Sequence, residues 1–326
     1  MKKRIINPYL TEEQIKGKHF SLLKKANQKK FKCFQGGCNS IAIESHILQK
    51  NGVLRYIAED QHLMRLQKDF FSIKYGFERI GLNDIFVFKG FCNTHDHRIF
   101  SPIESNKFNL SDYKNQLLIS YRGLLNEIRK KEILNEFFQS ITQDEELSYY
   151  MNIGGLKMVI NNQKLAIDDL TMFKNSFEDD LENNTKSCRF ILKKIKPIPI
   201  CTSSLFSFES NEQMFSKLGT IDFLKPLDTI FFNALPQSDC TFILIGTKND
   251  CKHNCQLYIE KFSFMNENEL LKEINDIIFR NIETWVCNET FFKSNIDLHL
   301  DYLRKFMSEN VGEHGTNIGL DINIFD

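Results

Sequence analysis

The spacing of apolar residues gives the first part of the chain a mixed character. Apolar positions recur at helical spacing over residues 11–27, 53–66 and 111–138. Runs that alternate or are continuously apolar, as short strands are, occupy residues 41–47, 69–75 and 85–88. Thr11 and the Ser111-Asp112 pair stand where helix-capping residues are expected. Helices and short strands are therefore predicted to alternate here.

The second part of the chain is richer in predicted strands. Apolar, β-branched or aromatic runs, divided by Pro, Gly, Ser and Asn, occupy residues 188–192, 198–206, 229–234, 241–246 and 257–262. A helical pattern over residues 269–286 follows, and Trp285 is expected to fill the core beside it. These patterns predict an antiparallel, β-rich domain closed by a helix.

Between the two parts lies a segment with a polar turn, a Gly154-Gly155 pair and helical material rich in Asn and Asp. The fold class predicted is α+β. We expect an N-terminal metal-binding domain with added helices at residues 1–140, a connecting helical segment at 141–186 and the β-rich domain at 187–326. A chain of 326 residues is long enough for two domains with separate cores.

Charge is balanced overall but uneven along the chain. The 42 Lys and Arg residues equal the 42 Asp and Glu residues, whereas the first 32 residues are strongly basic. This arm suggests a nucleic-acid partner, DNA or RNA, and the lysines expected to contact it are Lys24, Lys25, Lys29, Lys30 and Lys32. A solvated lysine-rich helix is the alternative. A second basic run, Arg129-Lys130-Lys131, is predicted to face solvent.

No stretch approaches the roughly 20 uninterrupted apolar residues of a membrane span, and the basic start lacks the apolar core of an export signal. We therefore expect a cytoplasmic protein with no membrane partner. Phenylalanines in polar surroundings, at Phe206, Phe208 and Phe215, leave room for a protein partner or a homo-oligomer through the C-terminal domain.

Nine cysteines in a long chain without an export signal indicate metal ligands and buried thiols instead of disulfides. Cys33 and Cys38 flank a Gly36-Gly37 turn, and Cys92 and His95 form a Cys-x2-His pair some fifty residues later. Three thiolates and an imidazole are the ligand set of a closed tetrahedral zinc site. We therefore expect these four residues to bind a structural Zn²⁺.

A zinc knuckle, a β-hairpin and a helix bearing the second ligand pair form a treble clef, and the chain resembles the HNH nucleases, the ββα-metal group, over about residues 30–105. The resemblance implies that His46 is the general base, that Cys92 and His95 are the zinc pair, and that Asp96 binds a catalytic Mg²⁺ or Mn²⁺. His97 would replace Asp96 if the register shifts by one residue. His62, expected near the end of a helical stretch, could supply a missing ligand.

The chain departs from the HNH pattern in two respects. Ser45 stands where the family has Asp, Glu or His before the base, and the asparagine that orients the base has no clear match, since Asn83 lies nine residues before Cys92. A wider string of residues, including the two ligand pairs and Ser45-His46, is similar to uncharacterised bacterial proteins, some of them encoded beside phage-defence genes. The resemblance implies an HNH-like endonuclease acting in antiviral defence.

Two less specific hypotheses are alternatives to the nuclease hypothesis. The zinc site could be a scaffold without catalysis, with His46 bonded inside the core, in a protein that recognises a protein, a nucleotide or a phage component. Cys251, His253 and Cys255 could bind a metal, although a polar turn between two strands explains them as well. Neither a phosphate-binding Gly-x4-Gly-Lys motif nor a Gly-x-Ser-x-Gly motif is present.

Overall fold

The computed structural model describes residues 10–69, 74–104, 109–208, 226–310 and 319–326. The protein mixes helices and sheet, as expected for an α+β fold. The helices are α1 Glu12–Gln28, α2 Asn93–Glu104, α3 Tyr113–Gln143, α4 Leu147–Tyr150, α5 Ile153–Asn183, α6 His253–Phe264, α7 Glu267–Arg280, α8 Glu289–Phe291 and α9 Leu300–Glu309. The strands are β1 Glu44–His46, β2 His62–Asp69, β3 Lys74–Gly81, β4 Val87–Lys89, β5 Cys188–Ile195, β6 Ile200–Ser207, β7 Thr229–Pro236, β8 Thr241–Lys248 and β9 Trp285–Cys287.

The two helices that frame the N-terminal region begin where their capping residues predict. Thr11 accepts a hydrogen bond from the backbone of Gln14, whose side chain accepts one in return from the backbone of Thr11, so that a capping box starts α1. Asp112 accepts a hydrogen bond from the Lys114 backbone at 3.2 Å and starts α3. Each cap satisfies backbone donors that the first helical turn leaves unpaired.

Nine strands form two sheets in the described residues. β1 and β4 pair as a small antiparallel hairpin, with Ser45 opposite Phe88 and His46 opposite Val87. The other strands form an antiparallel seven-stranded sheet in the order β3-β2-β9-β6-β7-β8-β5. The hairpin of β2 and β3, which the chain inserts between β1 and β4, therefore belongs to the same sheet as the C-terminal strands.

Helices cover both faces of the seven-stranded sheet. Alternate residues of β7 enter different apolar clusters: Ile230 and Phe232 pack with α6, α7 and α9, whereas Phe231 packs with α3 and α5. This alternation follows from the two-residue period of a strand. Trp285 on β9 is fully buried, which confirms its predicted place in the core. In the part of the chain that the structure describes, no helix has the length and apolar character that a membrane span needs.

Three predicted elements and the predicted exposure of one residue differ from the structure. Residues 257–262, predicted as a strand, lie in α6. The helical pattern over 53–66 proved wrong, because a short π-helical turn at Lys50–Leu54 is followed by β2. The last predicted helix ends at Arg280, before β9. Phe206, expected at the surface, is buried. Residues 70–73 of the predicted strand 69–75, and Phe215, lie outside the described residues.

Candidate metal centre

The first pair of predicted ligands lies in a tight backbone turn. Lys32 and Ile41 form an antiparallel bridge, and the amide of Cys33 donates to the carbonyl of Ser40 at 3.0 Å. The Cys38 amide donates to Gln35 at 3.1 Å across the turn. Gly37 has a φ of 74°, a left-handed conformation that costs glycine little. The turn therefore brings the two cysteines to the same side of the chain.

The second pair of predicted ligands lies at the start of α2. The carbonyl of Cys92 accepts the Asp96 amide at 2.9 Å, so Cys92 stands immediately before the helix and His95 lies in its first turn. Residues three apart on a helical turn face the same direction. Cys92 and His95 consequently point to one place.

Backbone pairing joins the two ligand pairs. The Phe34 amide donates to the Gly90 carbonyl at 3.0 Å, and the Ile43 amide donates to the Phe91 carbonyl at 2.8 Å. These bonds extend the β1–β4 hairpin and place the knuckle beside the segment that carries Cys92. The hairpin thereby brings together ligands that are far apart in sequence.

The four predicted ligands form one cluster. The sulfur atoms of Cys33, Cys38 and Cys92 and a ring nitrogen of His95 all lie within 4.8 Å of one another. The Nδ1 atom of His95 is 3.5 Å from the Cys33 sulfur and 3.2 Å from the Cys92 sulfur. Tetrahedral zinc with its usual bond lengths separates neighbouring ligand atoms by about 3.5–3.8 Å. The donor set and its spacing therefore fit Zn²⁺.

Two thiols of the cluster differ in the direction of their pKa shifts. Burial raises the pKa of Cys33, whereas the backbone of Ser40 donates to Cys38 and lowers its pKa. Zinc binding requires thiolates, so loading the centre releases protons. Bound zinc would supply a crosslink between the knuckle and α2.

Arg129 on α3 packs against the turn that carries Cys33 and Cys38. The prediction that Arg129 faces solvent was wrong. Its side chain is buried, and its guanidinium lies 4.2 Å from the ring centres of both Phe31 and Phe34. It donates to the Lys89 carbonyl at 2.7 Å and to the Lys32 carbonyl at 3.1 Å. Burial lowers the pKa of Arg129 to about 10, and the group stays charged at neutral pH.

The burial of Arg129 could have been inferred from its spacing along α3, although its place in a basic run suggested a solvent-exposed residue. Arg122 and Arg129 are seven residues apart on α3, which places them on the same face of the helix. Both are buried, together with Leu118 and Leu125 on neighbouring positions of that face. A guanidinium in an apolar stripe needs fixed acceptors, and its position in the stripe indicates structure instead of solvation.

The proposed general base, His46, is oriented by the backbone. Its Nε2 atom lies 3.1 Å from the carbonyl oxygen of Leu82, which accepts a hydrogen bond from the protonated Nε2. In that tautomer Nδ1 carries the lone pair, and no hydrogen-bond partner for Nδ1 is found among the described residues. The backbone carbonyl of Leu82, the residue before Asn83, thus orients the ring. A backbone acceptor of this kind leaves no side-chain pattern in the sequence.

Asp96 and His46 are on different sides of β1. Ser45, which precedes His46 and so faces the other way, approaches the buried Asp96 carboxylate closely enough to lower its pKa. Neither Ser45 Oγ nor Asp96 Oδ1 completes a hydrogen bond of ordinary geometry. The other oxygen of Asp96 lies 3.4 Å from Arg122. Burial raises the pKa of Asp96 more than Arg122 and Ser45 lower it.

The other predicted site residues are dispersed. His97 is exposed on α2, and His62, which was expected in a helix, is the first residue of β2, with its Nδ1 2.6 Å from the Asp60 carbonyl. The lysines of the basic arm are all exposed along α1 and the link to the knuckle: Lys24, Lys25, Lys29, Lys30 and Lys32. Lys29 also pairs with Glu136 at 2.5 Å.

Within the described ranges, the zinc-like cluster is the one group of three or more side chains placed to bind a metal ion. Asp96 is therefore without further ligands for a second ion there. Cys251 and Cys255 are buried, and Cys255 lies in α6 with its sulfur 3.5 Å from the Thr247 hydroxyl. The predicted turn is present at residues 249–251, but it joins β8 to α6 instead of joining two strands.

No family model matches the chain, and no curated protein or solved structure matches it either. The geometry of the cluster and its surroundings is therefore the basis for any functional conclusion.

Proposed function

We propose that the protein is a zinc-dependent, HNH-like hydrolase of nucleic-acid phosphodiester bonds that acts in antiviral defence. The observation that carries the proposal is the hydrogen bond between His46 and the Leu82 carbonyl. It fixes the neutral tautomer in which Nδ1 is the proton acceptor. A positioned imidazole of this kind is suited to take a proton from an attacking water molecule.

The surroundings of His46 support the same reaction. It ends a strand of the hairpin that also carries the knuckle, so the frame of the metal cluster holds it in place. The exposed lysines of α1 and of the link to the knuckle directly precede Cys33 in the chain. Lys89 on β4 donates to the carbonyl of Asn27 in α1 at 2.7 Å. Lysines near a frame of this kind would hold phosphates by charge, which makes binding sensitive to salt.

A second, catalytic divalent ion is not supported to the same extent. Its implied ligand, Asp96, is buried against Arg122, and the described residues place no other metal-binding side chains beside it. The residues on which the proposal depends are His46, Leu82 and the lysines, with zinc as the frame.

The Asp96–Arg122 contact favours one alternative. A carboxylate engaged by a buried arginine is typical of a structural ion pair. In that case the metal centre is a scaffold, and the protein is a sensor or binding module that recognises a protein, a nucleotide or a phage component. The two functions differ in whether His46 is needed for bond cleavage.

The test is incubation of the zinc-loaded protein with DNA and with RNA in the presence of Mg²⁺, Mn²⁺, Ni²⁺ or added Zn²⁺. His46→Ala is compared with His253→Ala, which replaces an exposed histidine in α6. The proposal expects cleavage by the wild type and by His253→Ala and a loss of about 100-fold or more in His46→Ala. Absence of cleavage with every metal, or equal cleavage by His46→Ala, contradicts it and favours the scaffold.

A further inference from the structure

Helix α5 carries large apolar residues on two of its faces. Leu170 and Phe177 are buried and pack into the apolar cluster that includes residues of α3. Met158, Leu165 and Met172 keep 63%, 42% and 42% of their exposure. Leu165 lies five residues before Leu170, a spacing that separates two side chains by about 140° around a helix. The exposed apolar residues therefore face away from the core of the protein.

The three exposed residues form one stripe along the helix. Each is seven residues from the next, and residues at that spacing lie within about 20° of one another around a helix. The stripe extends for about 21 Å along the helix axis. Single apolar residues scattered over a surface are ordinary, whereas an apolar residue in every heptad is the spacing of a helix–helix contact. The stripe therefore matches the seam of a helix pair.

Charged residues are placed unevenly beside this stripe. On one flank, Lys157 and Lys164 lie in the N-terminal half of α5, and Asp168 and Asp179 lie in its C-terminal half. All four are exposed. Lys157, Lys164 and Asp168 form no ion pair or hydrogen bond with the residues that the structure describes. This flank is thus basic at one end and acidic at the other, with charges that its own chain leaves available.

A second copy of α5 complements this pattern when the two helices run antiparallel. A two-fold axis through Leu165 places this residue opposite its equivalent and places Met158 opposite Met172 of the other copy. The same axis brings the two equal flanks together, so Lys164 of each copy lies near Asp168 of the other. A parallel pair would instead place like charges at the same height along the helices, which is unfavourable.

We propose that α5 is the interface of a homodimer, in which two copies pack antiparallel along Met158, Leu165 and Met172, with ion pairs between Lys164 and Asp168 at the flank. Two helices in contact over this length bury on the order of 1,000 Å², which is at the low end for specific interfaces. Association at roughly micromolar concentrations is therefore expected. The surface uses no residue of the metal cluster, and the proposal does not depend on the proposed hydrolysis.

The first test compares two exposed leucines by sedimentation equilibrium of the zinc-loaded full chain, from about 1 µM to about 200 µM. Leu165→Glu should weaken dimerisation roughly tenfold or more, because two carboxylates would face each other across the axis. Leu257→Glu is the matched control, since Leu257 lies on α6 and is 47% exposed. It should dimerise as the wild type does. Circular dichroism and zinc content confirm that each variant is folded.

The second test exchanges the charges of the flank. Lys164→Glu and Asp168→Lys should each weaken the dimer roughly fivefold at low salt, since each turns two attractive pairs into repulsive ones. The double variant with both substitutions should regain wild-type association, because every pair is restored with its signs reversed. This recovery is expected only where the two flanks meet antiparallel.

The outcomes decide whether a second copy covers the stripe. A mass of twice one chain that falls on dilution, with Leu165→Glu weakened and Leu257→Glu unchanged, supports the proposal. A wild type that stays monomeric over the whole range overturns it and leaves the stripe to a different protein. A dimer that Leu165→Glu does not weaken also overturns it, since another surface would form the contact. Failure of the double variant to regain association overturns the antiparallel arrangement.

Discussion

Arg129 stacks its guanidinium 4.2 Å from the ring centre of Phe34, the residue that follows Cys33, the first predicted metal ligand. Through this contact and its bonds to two carbonyls, a helix far along the chain holds the turn of the metal knuckle. The candidate metal centre is therefore supported by packing from α3.

Replacement of Arg129 by methionine should destabilise the protein by roughly 3 kcal/mol or more, because two carbonyls and the Glu132 carboxylate lose a buried partner. The measurement is urea unfolding, with zinc retention against a chelator as a second readout. Arg189→Met is the matched control, since Arg189 pairs with Glu260 at the surface and should cost about 1 kcal/mol or less. Equal losses in both variants would show that Arg129 is not a special support.

The zinc prediction concerns one cysteine of the cluster against one outside it. Cys92→Ser should lose bound metal, whereas the wild type and Cys240→Ala should each hold about one zinc per chain. Chelation should unfold the N-terminal region, because structural zinc contributes on the order of 10 kcal/mol to such small units. Metal analysis of the purified protein is the measurement, and zinc far below one per chain in the wild type would refute the site.

Acid should weaken the packing of α1 on α3 through His19. Its ring lies against Phe137 at 6.4 Å between centres, and burial lowers its pKa, although the Asp144 charge opposes this. A depressed pKa means that the unfolded chain binds the proton more tightly, so stability falls as pH drops below the ordinary histidine value of about 6.5. Unfolding midpoints at about pH 7.5 and about pH 5.5 should differ less in His19→Gln than in wild type or in the exposed-site control His299→Gln.

Asp180 should contribute strongly to the free energy of unfolding. It accepts hydrogen bonds from the hydroxyls of Tyr113 at 2.5 Å and Thr185 at 2.6 Å, and from the amide of Ser187 at 2.8 Å. These donors lower its pKa although burial opposes them, so its contribution is present above about pH 4 and is lost as pH falls. Asp180→Asn should cost about 2–4 kcal/mol near neutral pH, against about 0.5 kcal/mol for the exposed neighbour Asp179→Asn.

The contact of α3 with the sheet can be tested by two glycine substitutions. A Cβ at Gly123 would lie 2.8 Å from the Ser203 hydroxyl and 3.2 Å from its backbone oxygen, so Gly123→Ala should destabilise by about 1–3 kcal/mol. A Cβ at Gly17 in α1 would meet open space, and Gly17→Ala should stabilise by up to about 1 kcal/mol through helix propensity. Thermal unfolding of both variants measures the difference, and a neutral Gly123→Ala would mean that the helix and strand can separate without cost.

The metal cluster and much of the secondary structure were predictable because their signals are local. Capping residues set the starts of α1 and α3, and cysteine spacing indicated ligands that the structure brings within bonding range of one ion. The failures share a different cause. Residues 257–262 form an apolar run whose type periodicity alone does not decide, and the structure makes them part of α6.

The remaining differences depend on contacts between distant residues. No sequence pattern near Met64 indicates that it pairs with Cys287. No sequence pattern near His46 indicates that the Leu82 carbonyl orients its ring. Arg129 was misjudged because charge in a basic run usually indicates solvent, whereas its acceptors are carbonyls of the knuckle and β4. Patterns of residue type carry little information on such partners.

The three-residue strand β9 lies more than 200 residues after β2 and pairs with it in the sheet. On the ribosome, β2 and β3 must wait until Trp285 has emerged before their sheet edge is covered. Until then a long hairpin presents an unpaired flank, a condition that favours misassembly and slow folding. The sheet can therefore be completed only late in synthesis of the chain. A chain that ends before residue 287 leaves β2 without its partner strand β9.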